Sequence, residues 1–303
     1  MTAMVGPHET RVVPPRDPAA ATRPERATRA VHWQVELLAA AVVAVVYLAA
    51  PSSVPSDEVV RAAEGRGAAL FELERAWSLD VEPALQRALA ALDLQVVANW
   101  LYGSLHFAVT FAAFVSLLRR RPDLYPRWRT AFVVASVSAF VLQRWLPVAP
   151  PRLVPSGGGS MLMSDWLAEH HSLWSFQSGP ISDAANHYAA MPSMHVGWAV
   201  LSACALAVGR TGTWRRVALA YPVLVAVVVM ATGNHFLLDV VAGAALAAAA
   251  LAVVSVAGRL RRRSTDVDLR APVRASRSDP VGPVGLVERP SELEPDVLAA
   301  RRR

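Results

Sequence analysis

The sequence predicts an all-α fold: a six-transmembrane-helix bundle with amphipathic outer helices and disordered cytoplasmic tails. Three observations carry that expectation. Of the 303 residues, 54% are hydrophobic and 18% charged, too apolar for an ordinary soluble domain. Six windows run for about 18–22 residues with almost no charge, the length that crosses roughly 30 Å of hydrocarbon. The connections between those windows alternate between arginine-rich and arginine-poor.

Taken in order, residues 1–30 are rich in Pro, Arg and Ala without an apolar period and read as a disordered cytoplasmic tail. The membrane catalytic domain covers 31–258. Its first span runs over 33–50. "YLAAPSS" at 47–53 resembles a cleavage site, but a charged leader of about thirty residues is longer than a signal peptide's and favours a retained span. Residues 57–95 alternate apolar and charged positions at helical spacing, which predicts one or two amphipathic helices along the membrane surface or capping the bundle. Spans follow at 97–118 and 129–148. The segment 149–190 holds "PPRLVPSGGGSMLM"; its prolines and three consecutive glycines forbid a continuous helix, and Trp166, Trp174 and Phe176 suit a membrane interface. The last spans are 191–209, 215–232 and 236–257. Residues 259–303 read as a basic and then disordered cytoplasmic tail, with "RLRRR" at 259–263 resting against anionic headgroups.

The net charge of +6 comes from arginine alone, because the sequence contains no lysine. Its distribution argues for a membrane topology and not for nucleic acid. Arginines cluster before the first span, after the second (Arg119, Arg120, Arg121), after the fourth (Arg210, Arg215, Arg216) and after the sixth (Arg259, Arg261, Arg262, Arg263). Segments 51–96 and 149–190 are poor in them. The positive-inside rule then makes both termini cytoplasmic in a multi-pass protein of the plasma membrane. The single cysteine, Cys204, excludes an intrachain disulfide.

Polar residues gather where three span ends meet the extracytoplasmic side. "APPRLVP" (149–155) follows the third span, "AAMPSMHVGWAV" (189–200) opens the fourth, and "TGNHFLLD" (232–239) opens the sixth. Arg152, Ser193, His195, His235 and Asp239 are thereby expected at one depth. Four residues apart on a helix, Asp239 reaches back to one ring nitrogen of His235, fixes its tautomer and leaves the other as a nucleophile. His195 suits a general acid toward a leaving oxygen, and the Arg152 guanidinium suits phosphate oxygens. The open helix N-termini would add backbone N–H donors. Together these make a site for phosphoryl transfer through a phosphohistidine, with no metal and no cofactor. Singly, each motif has a plainer reading: an interfacial histidine, half of a metal site, or Ser193 as a helix N-cap. Gly243 reads as a close-packing position between helices.

These residues resemble the type 2 phosphatidic acid phosphatase superfamily, whose core is shared with vanadium haloperoxidases. Its pattern is Lys-x6-Arg-Pro, then Pro-Ser-x-His, then Ser-Arg-x5-His-x3-Asp. Pro192-Ser193-Met194-His195 matches the second motif, His235 and Asp239 end the third, and Arg152 matches the arginine of the first. The resemblance covers roughly 95–257. It implies that His235 is the nucleophile, Asp239 its orienting partner and His195 the acid, with Arg152 and Ser193 on the phosphate. Trp145 stands where the first motif has lysine, with Arg144 one residue off as a further candidate for phosphate binding or else snorkelling outward, and Leu153 replaces the proline. Val228 and Val229 stand where the third has Ser-Arg. "APPRL", "NHYAAMPSMH" and "GNHFLLDVVAG" look like the inositol phosphorylceramide synthase (aureobasidin-target, inositolphosphotransferase) branch.

Fewer cations would suit a phosphodiester better than a phosphomonoester. His106, Tyr102, Gln143, Asn186 and Tyr188 are further candidates for head-group or acceptor contacts, since ionisable groups inside a membrane are costly and tend to be functional. The expected partners are membrane lipids, with a phosphorylated lipid as substrate; the sequence sets no oligomeric state. Hydrolysis would make the protein a lipid phosphatase and an alcohol acceptor would make it a head-group transferase. A membrane protein that keeps the fold and only binds lipid phosphates is the reading outside the enzymes.

Overall fold

The computed structural model describes residues 33–48, 56–157, 160–170 and 186–270, most of them helical. The helices are α1 (Trp33–Leu48), α2 (Asp57–Ala76), α3 (Glu82–Ala90), α4 (Gln95–Arg120), α5 (Tyr125–Trp145), α6 (Trp166–Glu169), α7 (Met194–Ala207), α8 (Gly212–Ala231) and α9 (Leu237–Arg270). Between α5 and α6, a 3-10 turn at Pro151–Leu153 leads into a small antiparallel hairpin, β1 (Pro155–Gly157) with β2 (Ser160–Met161). The tail expected at 1–30, the residues after 270, and Trp174 and Phe176 lie outside the described residues.

Among the described residues three helices are long and apolar enough to cross a membrane: α4, α8 and the Leu237–Arg261 part of α9. The other expected spans fall short of that measure for local reasons. α1 and α7 are apolar but have only 16 and 14 residues. α7 starts late because Pro192 has no N–H and Ser193 holds an extended N-cap conformation. α5 has 21 residues but carries Arg127, Arg129 and Arg144.

α4 shows how the sequence writes a buried stripe. Asn99, Gly103, His106, Thr110, Ala113 and Leu117 recur every three or four residues and are the buried face. α7 is buried on nearly every side and sits among α4, α5 and α8. Two polar pairs tie helices together inside the bundle: Thr110 Oγ1 lies 3.1 Å from Ser202 Oγ, and Trp198 Nε1 donates to Ser136 Oγ at 3.0 Å. Glu36 of α1 accepts from Tyr125 (2.7 Å) and Arg129 (2.5 Å) on α5, an acid that the apolar reading of the first span passed over.

The amphipathic stretch forms two helices, α2 and α3, and α2 opens at Ser56, whose Oγ accepts Val59 N–H at 3.4 Å. Both pack into the site end of the bundle, α3 against α8 and α2 against the 3-10 turn. Trp166, expected at an interface, is instead 3% exposed. It packs with Ala98 and Ala231, and its carbonyl accepts from Asn99 Nδ2 at 2.5 Å. The short α6 turns the ring inward, which an aromatic count cannot foresee. At the far end α9 runs through "RLRRR" to Arg270, two residues before Pro272, since nothing between 259 and 270 breaks a helix.

Candidate active site

Main-chain bonds join the three motif segments before any side chain is considered. Arg152 N–H donates to Gly233 C=O at 3.0 Å, and Ser193 N–H donates to Asp239 C=O at 3.0 Å. Val148 N–H donates to Tyr188 C=O (2.8 Å), and Ala190 N–H returns to Val148 C=O (3.2 Å). The turn between α8 and α9 needs Gly233, whose φ is +71° and where a Cβ would press on Arg152 Cβ at 3.1 Å. The convergence expected of Arg152, Ser193, His195, His235 and Asp239 is therefore present in the backbone.

His235 is 4% exposed. Its Nδ1 lies 2.8 Å from Ala190 C=O and 3.6 Å from Asp239 Oδ2. Both neighbours are acceptors, so Nδ1 carries the proton and Nε2 keeps its lone pair. The expected direct grip of Asp239 on the ring is replaced by the Ala190 carbonyl. The reason is local: α9 begins at Leu237, so His235 precedes the helix and the four-residue stacking rule does not reach it. Asp239 Oδ2 instead accepts Phe236 N–H at 2.8 Å, which holds the buried carboxyl group beside the ring.

His195 enters from the first turn of α7. Its ring stacks on Tyr102 (centroids 4.5 Å), meets the edge of His106 (4.4 Å) and lies 5.7 Å from the His235 ring. Tyr102 and His106 thus touch the site through His195. His106 is 6% exposed and its Nδ1 has no hydrogen-bond partner among the described residues. Val228 and Val229 line the same crevice as His195 and are themselves buried, so the positions of the missing Ser-Arg are apolar wall.

Arg152 is held by two groups that sequence reasoning missed. Its Nε donates to Asn234 Oδ1 at 3.0 Å and its Nη1 to Asp165 Oδ2 at 2.8 Å. Partial burial first, and then the guanidinium, hold His187 below its ordinary value, with Asp165 opposing. Burial raises Tyr188, with Glu64 adding and Arg152 opposing. Ser193 is the N-cap residue of α7, yet its side chain caps nothing; Oγ is fully buried without a hydrogen-bond partner among the described residues. That argues against a purely capping serine.

Other candidates are further from the chemistry. Gln143 Nε2 donates to Ala189 C=O (3.2 Å) and Pro192 C=O (3.0 Å), clipping α5 to the segment before α7. Arg144, one residue on, is exposed on α5. Asn186 is exposed, and its Oδ1 accepts Tyr188 N–H at 3.1 Å.

The open N-terminus expected for the last helix is not open. Phe236, Leu237 and Leu238 N–H groups go to Asp239, Glu82 and Glu74 at 2.8, 2.6 and 2.7 Å. Glu74 and Glu82 come from α2 and α3, and the reading of 57–95 as amphipathic helices does not single them out. The signal was present: Ala63, Gly67, Phe71 and Glu74 form a single helical stripe, so the acid stands on the apolar side. Gln86 on α3 adds a third tie, donating to Ser164 C=O and Ala231 C=O, each at 3.0 Å.

No curated protein and no solved structure gives a significant match to the chain. A family model described as the PAP2 superfamily matches residues 68–253, a span that holds α3–α8, all three motifs and both buried glutamates. With well over half of its length matched, and with the histidines of the second and third motifs in ring contact, the chain belongs to the PAP2 superfamily.

Proposed function

We propose that the protein is a membrane lipid phosphatase or phosphotransferase that cleaves a lipid phosphate ester through a phosphohistidine on His235. Membership of the PAP2 superfamily supports phosphatase-type activity on lipid phosphates in general, and the apolar helices support a membrane protein. The observation that carries the mechanism is the pair of acceptors at His235 Nδ1, which leaves Nε2 unprotonated beside His195. Arg152 and the unpartnered Ser193 hydroxyl bind the phosphate oxygens. Nε2 attacks phosphorus, the bond from phosphorus to the lipid oxygen breaks, and His195 gives that oxygen its proton. The Asp239 charge offsets the positive charge growing on the ring. Water or a second lipid hydroxyl then loses its proton to His195 and attacks phosphorus, and the N–P bond breaks. The alternating arginine clusters support six spans, cytoplasmic termini and an extracytoplasmic site in the plasma membrane.

A head-group transfer between lipids, of the inositol-phosphate type, is favoured by one specific observation. Arg152 is already paired with Asp165, and Val228 and Val229 replace the motif's Ser-Arg. A site so poor in net positive charge suits a phosphodiester with about one negative charge over a monoester with nearly two.

The test uses the full chain, purified, with labelled phospholipids in the presence and absence of an alcohol acceptor. His235→Ala should lower turnover by at least about 10³-fold. Unchanged turnover in that variant sinks the mechanism. Free phosphate alone identifies hydrolysis, a new phosphodiester lipid identifies transfer, and binding without turnover by the wild type identifies a non-catalytic lipid-phosphate binder.

A further inference from the structure

The first turn of a helix leaves N–H groups without partners, and α9 fills three in succession with carboxyl oxygens from three different helices. Glu74 is 0% exposed, Glu82 1% and Asp239 0%. The second oxygens, Glu74 Oε2, Glu82 Oε2 and Asp239 Oδ1, are buried and receive no hydrogen bond from the described residues. The titratable groups facing the two glutamates are each other from α2 and α3, and Asp239 from α9, with His235 beyond it at 3.6 Å from the Asp239 carboxyl. Arg152, the cation of the site, is turned to Asp165 and Asn234. Three full negative charges in so buried a space would be offset chiefly by the helix N-terminus, equivalent to roughly half a charge. A proton placed between Glu74 and Glu82 removes one charge and turns an acceptor–acceptor contact into a hydrogen bond.

We propose that Glu74 and Glu82 are positioning residues that share one proton, and that this protonated pair fixes the first turn of α9 and hence the seat of His235. The inference rests on the reading of His235 as the nucleophile. Residues 236–238 follow it directly, so a shift of their N–H groups moves the ring away from Ala190 C=O and from His195. Burial is the largest influence on both acids. It pushes Glu74 up to about 8, with Glu82 and Asp239 adding and Leu238 N–H opposing. It raises Glu82 as well, against the Leu237 N–H bond.

The sign follows from a folded value above the unfolded 4.5 for Glu74. The pair's contribution to stability is fully present below that unfolded value and is lost as pH rises through about 8. Turnover should therefore fall on the alkaline side as the shared proton leaves.

Glu74→Gln tests this. Its carbonyl keeps Leu238 N–H, and its amide donates to Glu82 at every pH, as the protonated acid does. Turnover of a labelled lipid phosphate is measured in detergent against pH for wild type, Glu74→Gln, Glu74→Ala and His235→Ala. Glu74→Gln should retain kcat within about two-fold at pH 7 and move the alkaline limb up by at least about one pH unit. Glu74→Ala should lower kcat about tenfold or more with KM little changed. An unmoved alkaline limb in Glu74→Gln, or a loss equal to that of Glu74→Ala, overturns the proposal.

Infrared titration of the wild type needs neither variant nor activity. A protonated-carboxyl band present at neutral pH and lost above about pH 8 supports the shared proton, and its absence at neutral pH overturns it. A wild type that turns over no lipid phosphate defeats the catalytic reading instead, while the infrared titration still decides the proton.

Discussion

If Arg152 binds the substrate phosphate as proposed, Asp165 sets how much of the guanidinium that phosphate can use. The two side chains are 10% and 23% exposed and 2.8 Å apart, so the pair is only partly screened by water. On that proposal a phosphate would share the guanidinium with Asp165, and each added negative charge on the substrate would meet that carboxylate. Asp165→Asn removes the repulsion and keeps the helix cap, because the side chain still accepts Ala168 N–H. The variant should raise kcat/KM for a phosphomonoester lipid relative to a phosphodiester lipid by about tenfold, equivalent to about 1.4 kcal/mol. Comparing the two substrates side by side checks it, and an unchanged ratio would mean that Asp165 does not set charge preference. Asn234 holds Arg152 from the other side and is itself braced by Thr232, so each residue of "TGN" before His235 has a structural task.

At the scale of elements, the site depends on how closely α9 approaches the start of α7. A Cβ added to Gly243 would lie 2.0 Å from Ser193 C=O, and one added to Gly197 would lie 3.2 Å from Gly243 C=O. Backbone cannot yield as a flexible side chain does, so Gly243→Ala should cost about 3 kcal/mol or more and displace Ser193 and His195 together. Gly65→Ala is the control: it lies exposed on α2 with nothing within 4 Å, and should raise stability by about 0.5–1 kcal/mol. Thermal unfolding of both variants in detergent checks the pair; equal melting temperatures would contradict the packing account. Gly243 was legible in the sequence as a close-packing position, as were α4, α8 and α9, because helical period and unbroken apolar length are local properties. The motif histidines were legible for the same reason. The bond between His235 and Ala190 was not, since it depends on α9 starting two residues after the histidine. Glu74 was marked only by its place on the apolar stripe of α2, and Glu82 not at all, because the burial of both comes from two helices closing over a third. Charges on an amphipathic stretch look solvated until the surface they face is known.

Across the whole molecule, the two ends of the bundle differ in the way that a membrane requires. α4 has 26 residues, about 39 Å at 1.5 Å per residue, longer than the roughly 30 Å hydrocarbon core. His195 meets Tyr102 and His106 in the first half of that helix, while Arg119 and Arg120 occupy its last turn. Arg210, after α7, reaches Ser116 near the same end. The motifs and the Arg119, Arg120 and Arg210 cluster are therefore at opposite ends of one long helix, and the proposed topology, by the positive-inside rule, would put that cluster in the cytoplasm. A single native cysteine makes this directly measurable: Cys204→Ala gives a background without thiols. Ser156, exposed on the hairpin after Arg152, and Arg120, exposed at the far end of α4, mark the two sides. In that background Ser156→Cys should react with a membrane-impermeant maleimide in intact cells, and Arg120→Cys only after permeabilisation. The reverse pattern would turn the site toward the cytoplasm and limit its substrates to lipids of the inner leaflet.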